Sequence, residues 1–340
     1  MKQTILNTVK FSIALSGTLL LIELFVFNAG ISRKSEVYFS EQTGKSYTPN
    51  YSYTWFSEGY ALGSINEGGY LGPFYKKVKT EQVKRVALLG DSYVEGIQVF
   101  DRNHFRTVLE KELNAQSQDS VEVLNFGRSN FNFPNMFAYC ELVVKDYEPD
   151  LSIFFVSGED LTSLTTDVLL PNVSPLTLEP VPFLSSEKVE GFNRANQILS
   201  NSALAYMLNS ARRSLQNQGI VNTVFDGKFS PKKITVAKKQ ITVAKKKMIQ
   251  SINLELFNRL DKEKVIFVHR EKTPLPLNLK QAIQNANLDL IDLSSFLTEL
   301  EDSGQNPNAW KNQKTDGHWN VLGHKAVGTY LVSVVASKLD

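Results

Sequence analysis

The chain has 340 residues, of which 42% are hydrophobic and 21% charged, with a formal net charge of +2. This is ordinary globular composition, with room for one large domain or two small ones and no overall electrostatic case for nucleic acid as a partner. A single cysteine, Cys140, excludes an internal disulfide and cysteine-rich zinc sites. The four histidines include no His-x-x-x-His pair, so neither a metal nor a cofactor is expected.

Residues 11–30 form a stretch of Leu, Ile, Val and Phe interrupted mainly by Glu23. As a helix rising ~1.5 Å per residue it is long enough for a ~30 Å hydrocarbon core. Lys2 and Lys10 precede it and Arg33 and Lys34 follow it, so the positive-inside rule scarcely chooses an orientation. A cleavable signal peptide competes, but the apolar part is longer than a usual h-region and no Ala-x-Ala-like site follows. A buried amphipathic helix fits less well, because nearly every face is apolar. The expectation is an uncleaved single-pass anchor over 1–34, with the globular part in the periplasm or at the cell surface. Within it, Glu23 should face a partner helix or be neutralised, since an intramembrane carboxylate is costly.

Residues 35–82, rich in Tyr, Ser and Gly, read as an irregular lead-in with a turn cluster at Asn66-Glu67-Gly68-Gly69. Its aromatics either line a carbohydrate groove or pack the loop down. From Val83 strand and helix patterns alternate. Strands are predicted at 86–89, 121–126, 151–156, 265–268 and 288–293, and helices at 104–113, 134–147, 279–286 and from 320 onward. Prolines 171, 175, 180 and 182 break the rhythm, placing an insertion or lid at about 161–245 within a domain over 83–340. Inside it, 199–215 reads as a helix. The tandem repeat Ile234-Thr235-Val236-Ala237-Lys238-Lys239-Gln240 and Ile241-Thr242-Val243-Ala244-Lys245-Lys246-Lys247 predicts one long helix, extended by Ile252, Leu256 and Leu260. Its lysines form a solvated face or touch an anionic surface.

Gly90-Asp91-Ser92 follows the first strand and opens a turn into a helix, a position that exposes a serine at the carboxyl end of a parallel sheet beside backbone N–H groups. Taken alone, Ser92 is equally a helix cap. A serine nucleophile needs a base titrating near neutrality and a carboxylate to fix the imidazole tautomer. His318 and Asp316, one glycine apart before the last helix, supply both residue types.

Four blocks together, Gly90-Asp91-Ser92, Gly127, Gly158-Glu159-Asp160 and Asp316-Gly317-His318, resemble those of the SGNH (GDSL-type) hydrolase family in order and spacing. The resemblance covers residues 83–165 and 262–338 and implies an α/β fold: a flavodoxin-like parallel sheet flanked by helices, here with an N-terminal transmembrane helix. It also implies a triad of Ser92, His318 and Asp316, with the N–H groups of Ser92 and Gly127 holding the oxyanion. The family's third block carries an oxyanion asparagine where this chain has Glu159, and an ionised glutamate cannot donate a hydrogen bond. Either Glu159 is protonated by burial, or Ser157 or Asn130 donates instead, or the site has lost hydrolytic power.

The resulting expectation is a serine esterase or O-acyltransferase acting on an O-acyl group, such as an acetyl ester, of a cell-envelope glycan. Two alternatives stand beside it: a lipid esterase or thioesterase, and a non-catalytic envelope-assembly or glycan-binding protein with assembly partners.

Overall fold

A computed structural model describes residues 2–33, 37–40, 43–162, 176–179, 201–217, 243–311, 313 and 316–340. Its centre is a five-stranded parallel sheet of β5 (Val83–Leu89), β6 (Ser120–Asn125), β7 (Leu151–Val156), β8 (Val265–His269) and β9 (Asp289–Asp292), in the order β6-β5-β7-β8-β9. This is the doubly wound order in which the chain reverses direction beside the first strand, leaving a crevice at the carboxyl ends of β5 and its neighbours.

The strands are apolar on both faces because both faces are covered. Val86, Leu88, Ile153, Phe155, Ile266 and Val268 point to one side, against Phe105, Leu109, Trp319, Val327 and Leu331. These come from α3 (Phe105–Gln116) and α9 (Val321–Leu339) and the loop before α9; α8 (Ser294–Asp302) adds Leu297. Ala87, Leu89, Phe154, Val156 and Phe267 point the other way, onto Phe133, Phe137, Leu256, Phe257 and Ile283. That layer is built by α4 (Phe133–Leu142), α6 (Val243–Arg259) and α7 (Leu277–Asn285). The alternation follows the period-two geometry of a strand.

Every predicted strand of the sheet is present, the third with both ends as expected and the others with no end moved by more than three residues. The helix expected over 134–147 stops at Leu142 and a 3₁₀ turn, Val144–Tyr147, completes it; α8 had no counterpart in the sequence reading. The first copy of the heptad repeat and the first two residues of the second lie outside the described residues; from Val243 the second copy is helical, opening α6. Further along, Leu256 and Leu260 are buried and Ile252 packs beside them, as the stripe required.

The lead-in is more regular than its composition suggested. Two antiparallel pairs occupy it: β1 (Val37–Ser40) with β2 (Gly44–Tyr47), and β3 (Ser52–Trp55) with β4 (Ala61–Ser64). Strands of four residues joined by short turns carry too little periodicity to stand out from a loop. Some of its aromatic side chains serve as packing, Tyr47 and Tyr53 being buried with Ile65 and Leu71, while Tyr60 is half exposed.

α1 (Lys2–Asn28) has a mean hydropathy of 1.9 over its most apolar window, of which 6% is buried, and is the one described helix long and apolar enough to cross a membrane. Glu23 does face a partner helix. Its carboxylate accepts hydrogen bonds from Ser202 Oγ at 2.8 Å, Ala203 N at 2.7 Å and Leu204 N at 2.9 Å, capping α5 (Ala203–Asn217). A carboxylate at a helix N-terminus satisfies donors that the helix itself cannot. On α5, Leu208 and Leu215 are exposed.

Candidate active site

Ser92 stands at the first position of α2 (Ser92–Glu95), a four-residue helix at the end of β5. Asp91 holds this turn, its Oδ1 accepting from Tyr93 N at 3.0 Å. The Ser92 N–H belongs to the first turn, where helical bonding leaves donors free. His318 arrives from the opposite end of the sequence, on the loop before α9. Its Nε2 lies 2.7 Å from Ser92 Oγ.

His318 Nδ1 lies 2.7 Å from Glu58 Oε2, and Glu58 Oε1 also accepts the His318 backbone N–H at 3.2 Å. Glu58 is therefore the carboxylate that orients the imidazole. A carboxylate only accepts, so it places the Nδ1 proton and leaves Nε2 free to accept from the serine hydroxyl. The assignment of that role to Asp316 is corrected here. The Asp316 carboxylate accepts from Lys272 Nζ at 2.6 Å and Asn306 Nδ2 at 3.1 Å, and its side chain is largely exposed. Two residues is too short a separation for Asp316 to curl under the imidazole while the intervening backbone is pinned, with Gly317 N donating to Asn308 O and Gly317 O accepting from Asn308 Nδ2.

Glu58 sits in the turn between β3 and β4, and the turn is fixed against the His318 loop. Gln313 Nε2 donates to Ser57 O at 3.0 Å, and Trp310 Nε1 donates to His318 O at 2.8 Å. Gly59 lies under the Trp310 ring with φ +92°, where a Cβ would come within 2.5 Å of the indole. Only glycine meets both demands. The Glu58-Gly59 step was thus readable as a tight turn, but nothing in its spacing linked it to His318.

Burial would push the His318 pKa down; the hydrogen bond and charge of Glu58 outweigh this and raise it above the ordinary value. His318 must be neutral to accept the serine proton, so turnover is expected to rise with pH through an inflection above ~6.5. In a Glu58→Gln enzyme that inflection should move to lower pH, as measured from kcat/KM against pH. An unchanged inflection would remove Glu58 from the relay. Of the remaining histidines, His269 Nδ1 lies 2.9 Å from Asp292, and burial holds His104 down to about 3 and His324 well below its usual range. Among the described residues, no group of three or more His, Cys, Asp or Glu side chains is placed to hold a metal ion.

The oxyanion residues read from sequence are only partly in position. Gly127 N donates to Asn125 Oδ1 at 3.0 Å, so this N–H is already engaged. Its glycine identity has a packing cause: a Cβ would fall 2.2 Å from Glu95 N and 2.5 Å from the Val94 carbonyl carbon. Gly127 therefore lets the second loop close against α2. Ser157 is also engaged, donating from N and Oγ to Asp160 Oδ2 at 2.7 and 2.9 Å. Glu159 is exposed. Asn130 is exposed and holds a left-handed φ of 69°.

A group without any sequence signal completes the floor. Arg270, directly after β8 and buried, donates through Nη2 to Asp91 Oδ2 at 2.6 Å and Asp160 Oδ2 at 3.2 Å. Its guanidinium carbon lies 4.4 Å from the Tyr93 ring centroid, and that ring lies 4.8 Å from His318. Burial, then the charge of Asp91, push the Asp160 carboxyl up to about 7 against the pull of Arg270.

No family model and no curated protein matches the chain. Among solved structures, a lipase/acylhydrolase from Enterococcus faecalis aligns at 14% identity over 76% of this chain and 97% of its own, with a TM-score of 0.42. A two-domain esterase active on acetylated mannans aligns at 14% identity over 76% of this chain and 50% of its own, with a TM-score of 0.40. A family 3 carbohydrate esterase from Clostridium thermocellum aligns at 12% identity over 76% of this chain and its whole length, with a TM-score of 0.34. At such identities and scores, the fold stands on this chain's own sheet order and motif positions. In this sheet order serine follows β5, glycine follows β6, Gly-Glu-Asp follows β7 and histidine precedes the last helix.

Proposed function

We propose that the chain is a membrane-anchored serine ester hydrolase or O-acyltransferase of SGNH type that works on an O-acyl group, with Ser92 as nucleophile, His318 as base and Glu58 as the orienting acid. The observation that carries this reading is the continuous relay from Ser92 Oγ to His318 Nε2 and from His318 Nδ1 to Glu58 Oε2, 2.7 Å at each step. Those distances match a working nucleophile–base–carboxylate set. His318 takes the Ser92 proton as Oγ bonds to the ester carbonyl carbon. The Ser92 N–H faces the developing oxyanion. Collapse of the tetrahedral adduct breaks the bond to the leaving alkoxide, which takes the proton from His318. Water or a sugar hydroxyl then gives up a proton to His318 as its oxygen bonds to the acyl carbon, and the adduct collapses by breaking the bond to Ser92 Oγ, which takes the proton back from His318.

An acylated glycan is the favoured substrate, because aromatic side chains flank Glu58. The Phe56 and Tyr60 ring centroids are 5.4 Å apart, those of Tyr60 and Phe100 are 6.3 Å apart, and Tyr60 is half exposed. Aromatic faces of this kind present an apolar surface to a sugar ring while keeping a polar edge in water. A lipid ester or thioester has a separate structural argument: an apolar cavity of about 260 Å³ between α6 and α7 is lined by Leu161, next to the third block, and by Leu254, Phe257 and Leu279.

The full chain in detergent should react with a fluorophosphonate probe at Ser92, and Ser92→Ala should abolish labelling. Equal labelling of the two would end the catalytic reading. With 4-nitrophenyl esters of increasing length, preference for acetate, raised further by an oligosaccharide acceptor, supports a glycan acyl group. Preference for octanoate supports the lipid alternative.

A further inference from the structure

We propose that the cleft where α1 meets the globular domain is a binding site for the phosphate-bearing headgroup of an anionic phospholipid. The inference rests on α1 being a membrane anchor. The cleft has a volume of about 300 Å³ and lies at the carboxyl end of α1, walled by Phe27, Ser32 and Arg33 on one side and by Ser52, Ser202 and Tyr206 on the other. Arg33 is the one charged residue among those lining it, and no carboxylate lines it.

Three features point to this ligand. Ser32 is fully buried, yet its Oγ has no hydrogen-bond partner among the described residues. A buried hydroxyl left unpaired is costly, so a polar group entering the cleft has a binding contribution waiting for it. Arg33 is exposed, with its guanidinium carbon 5.9 Å from the Phe27 ring centroid, while its backbone is fixed by hydrogen bonds between Arg33 N and Thr54 Oγ1 and between Thr54 N and Arg33 O. A guanidinium is suited to phosphate through its planar fork of donors. Finally, Phe27 is exposed on the same apolar helix whose side chains would lie among acyl chains. Headgroup and tails therefore have adjoining surfaces of matching chemistry. Glu23 is not among the residues lining the cleft; its carboxylate is turned to Ser202, Ala203 and Leu204 at the N-terminus of α5.

The test uses the full chain in nanodiscs of equal phosphatidylcholine and phosphatidylglycerol, followed by native mass spectrometry of lipids retained on release. Wild type should keep one phosphatidylglycerol in preference to phosphatidylcholine. Arg33→Gln should lower that preference at least tenfold. Ser32→Ala should lower it severalfold with no loss of thermal stability, since its hydroxyl has no partner among the described residues to lose, and because it leaves charge unchanged it separates a built site from simple attraction to a cation. Equal retention of both lipids by wild type, or unchanged preference in both variants, overturns the proposal. Retention of glycerol 3-phosphate by detergent-solubilised protein, with no lipid selected, assigns the cleft to a soluble phosphate and overturns the lipid source. Failure to enter nanodiscs refutes the anchor as well, an outcome distinct from entry without lipid selection, and Ser92 labelling in detergent reports the catalytic reading separately.

Discussion

Replacing Glu58 by glutamine is expected to lower kcat/KM for ester turnover by about 10³–10⁴, whereas Asp316→Asn leaves it within about threefold. The difference follows from which carboxylate touches the imidazole. Glutamine can present its amide N–H to Nδ1, which moves the ring proton to Nε2. Nε2 would then donate toward Ser92 Oγ, from which His318 accepts the proton across 2.7 Å. In chymotrypsin-type triads, the worked case behind this magnitude, the acid-to-amide change costs about 10⁴ in kcat with the geometry intact. Asp316 instead joins Lys272 and Asn306 at the surface, and exposed pairs of that kind contribute about 0–1 kcal/mol. Steady-state kinetics on the two variants, with circular dichroism to confirm folding, check the pair. A large loss in Asp316→Asn with Glu58→Gln near wild type would return the acid to Asp316.

The contrast between these carboxylates shows what kind of information the sequence holds. Ser92 and His318 were legible because each lies at the boundary of an element whose pattern is strong: a buried strand before the serine and a long apolar helix after the histidine. Their chemistry also limits the choice, as four histidines leave few candidates for a base. The sheet was legible for a related reason, since β5, β7 and β8 are apolar on both faces. Glu58 had neither advantage. It is one of many acidic residues, on a turn between two four-residue strands, and its partner lies 260 positions away. Gly127 carried a different ambiguity. The residue was placed correctly in the loop after β6, but a glycine chosen for close packing against α2 and one chosen to aim an N–H look alike in a sequence.

Arg270 was invisible for the same reason as Glu58, its partners being 179 and 110 positions distant, and its removal should be the most destabilising single change at the site. In Arg270→Leu two carboxylates, the partly buried Asp91 and the buried Asp160, face each other with no cation between them, and breaking a buried pair in this way costs about 3–5 kcal/mol. The loss should depend on pH. Asp160 is already held up to about 7 by burial and by Asp91, with Arg270 pulling it down. Without Arg270 its carboxyl moves higher. A carboxyl whose folded pKa exceeds its unfolded one binds more protons when folded, so it favours folding at low pH and loses that contribution as pH rises through the folded value. The deficit of Arg270→Leu against wild type should therefore be smaller at pH 5 than at pH 8, as read from urea unfolding at both. Arg270→Leu/Asp160→Asn should recover much of the deficit at pH 8 by removing one of the facing charges. It should not recover Ser92 labelling fully, because Asp91, which caps the helix carrying the nucleophile, still lacks its partner. A deficit under 1 kcal/mol, or one that is the same at both pH values, would show that Arg270 does not hold this end of the sheet together.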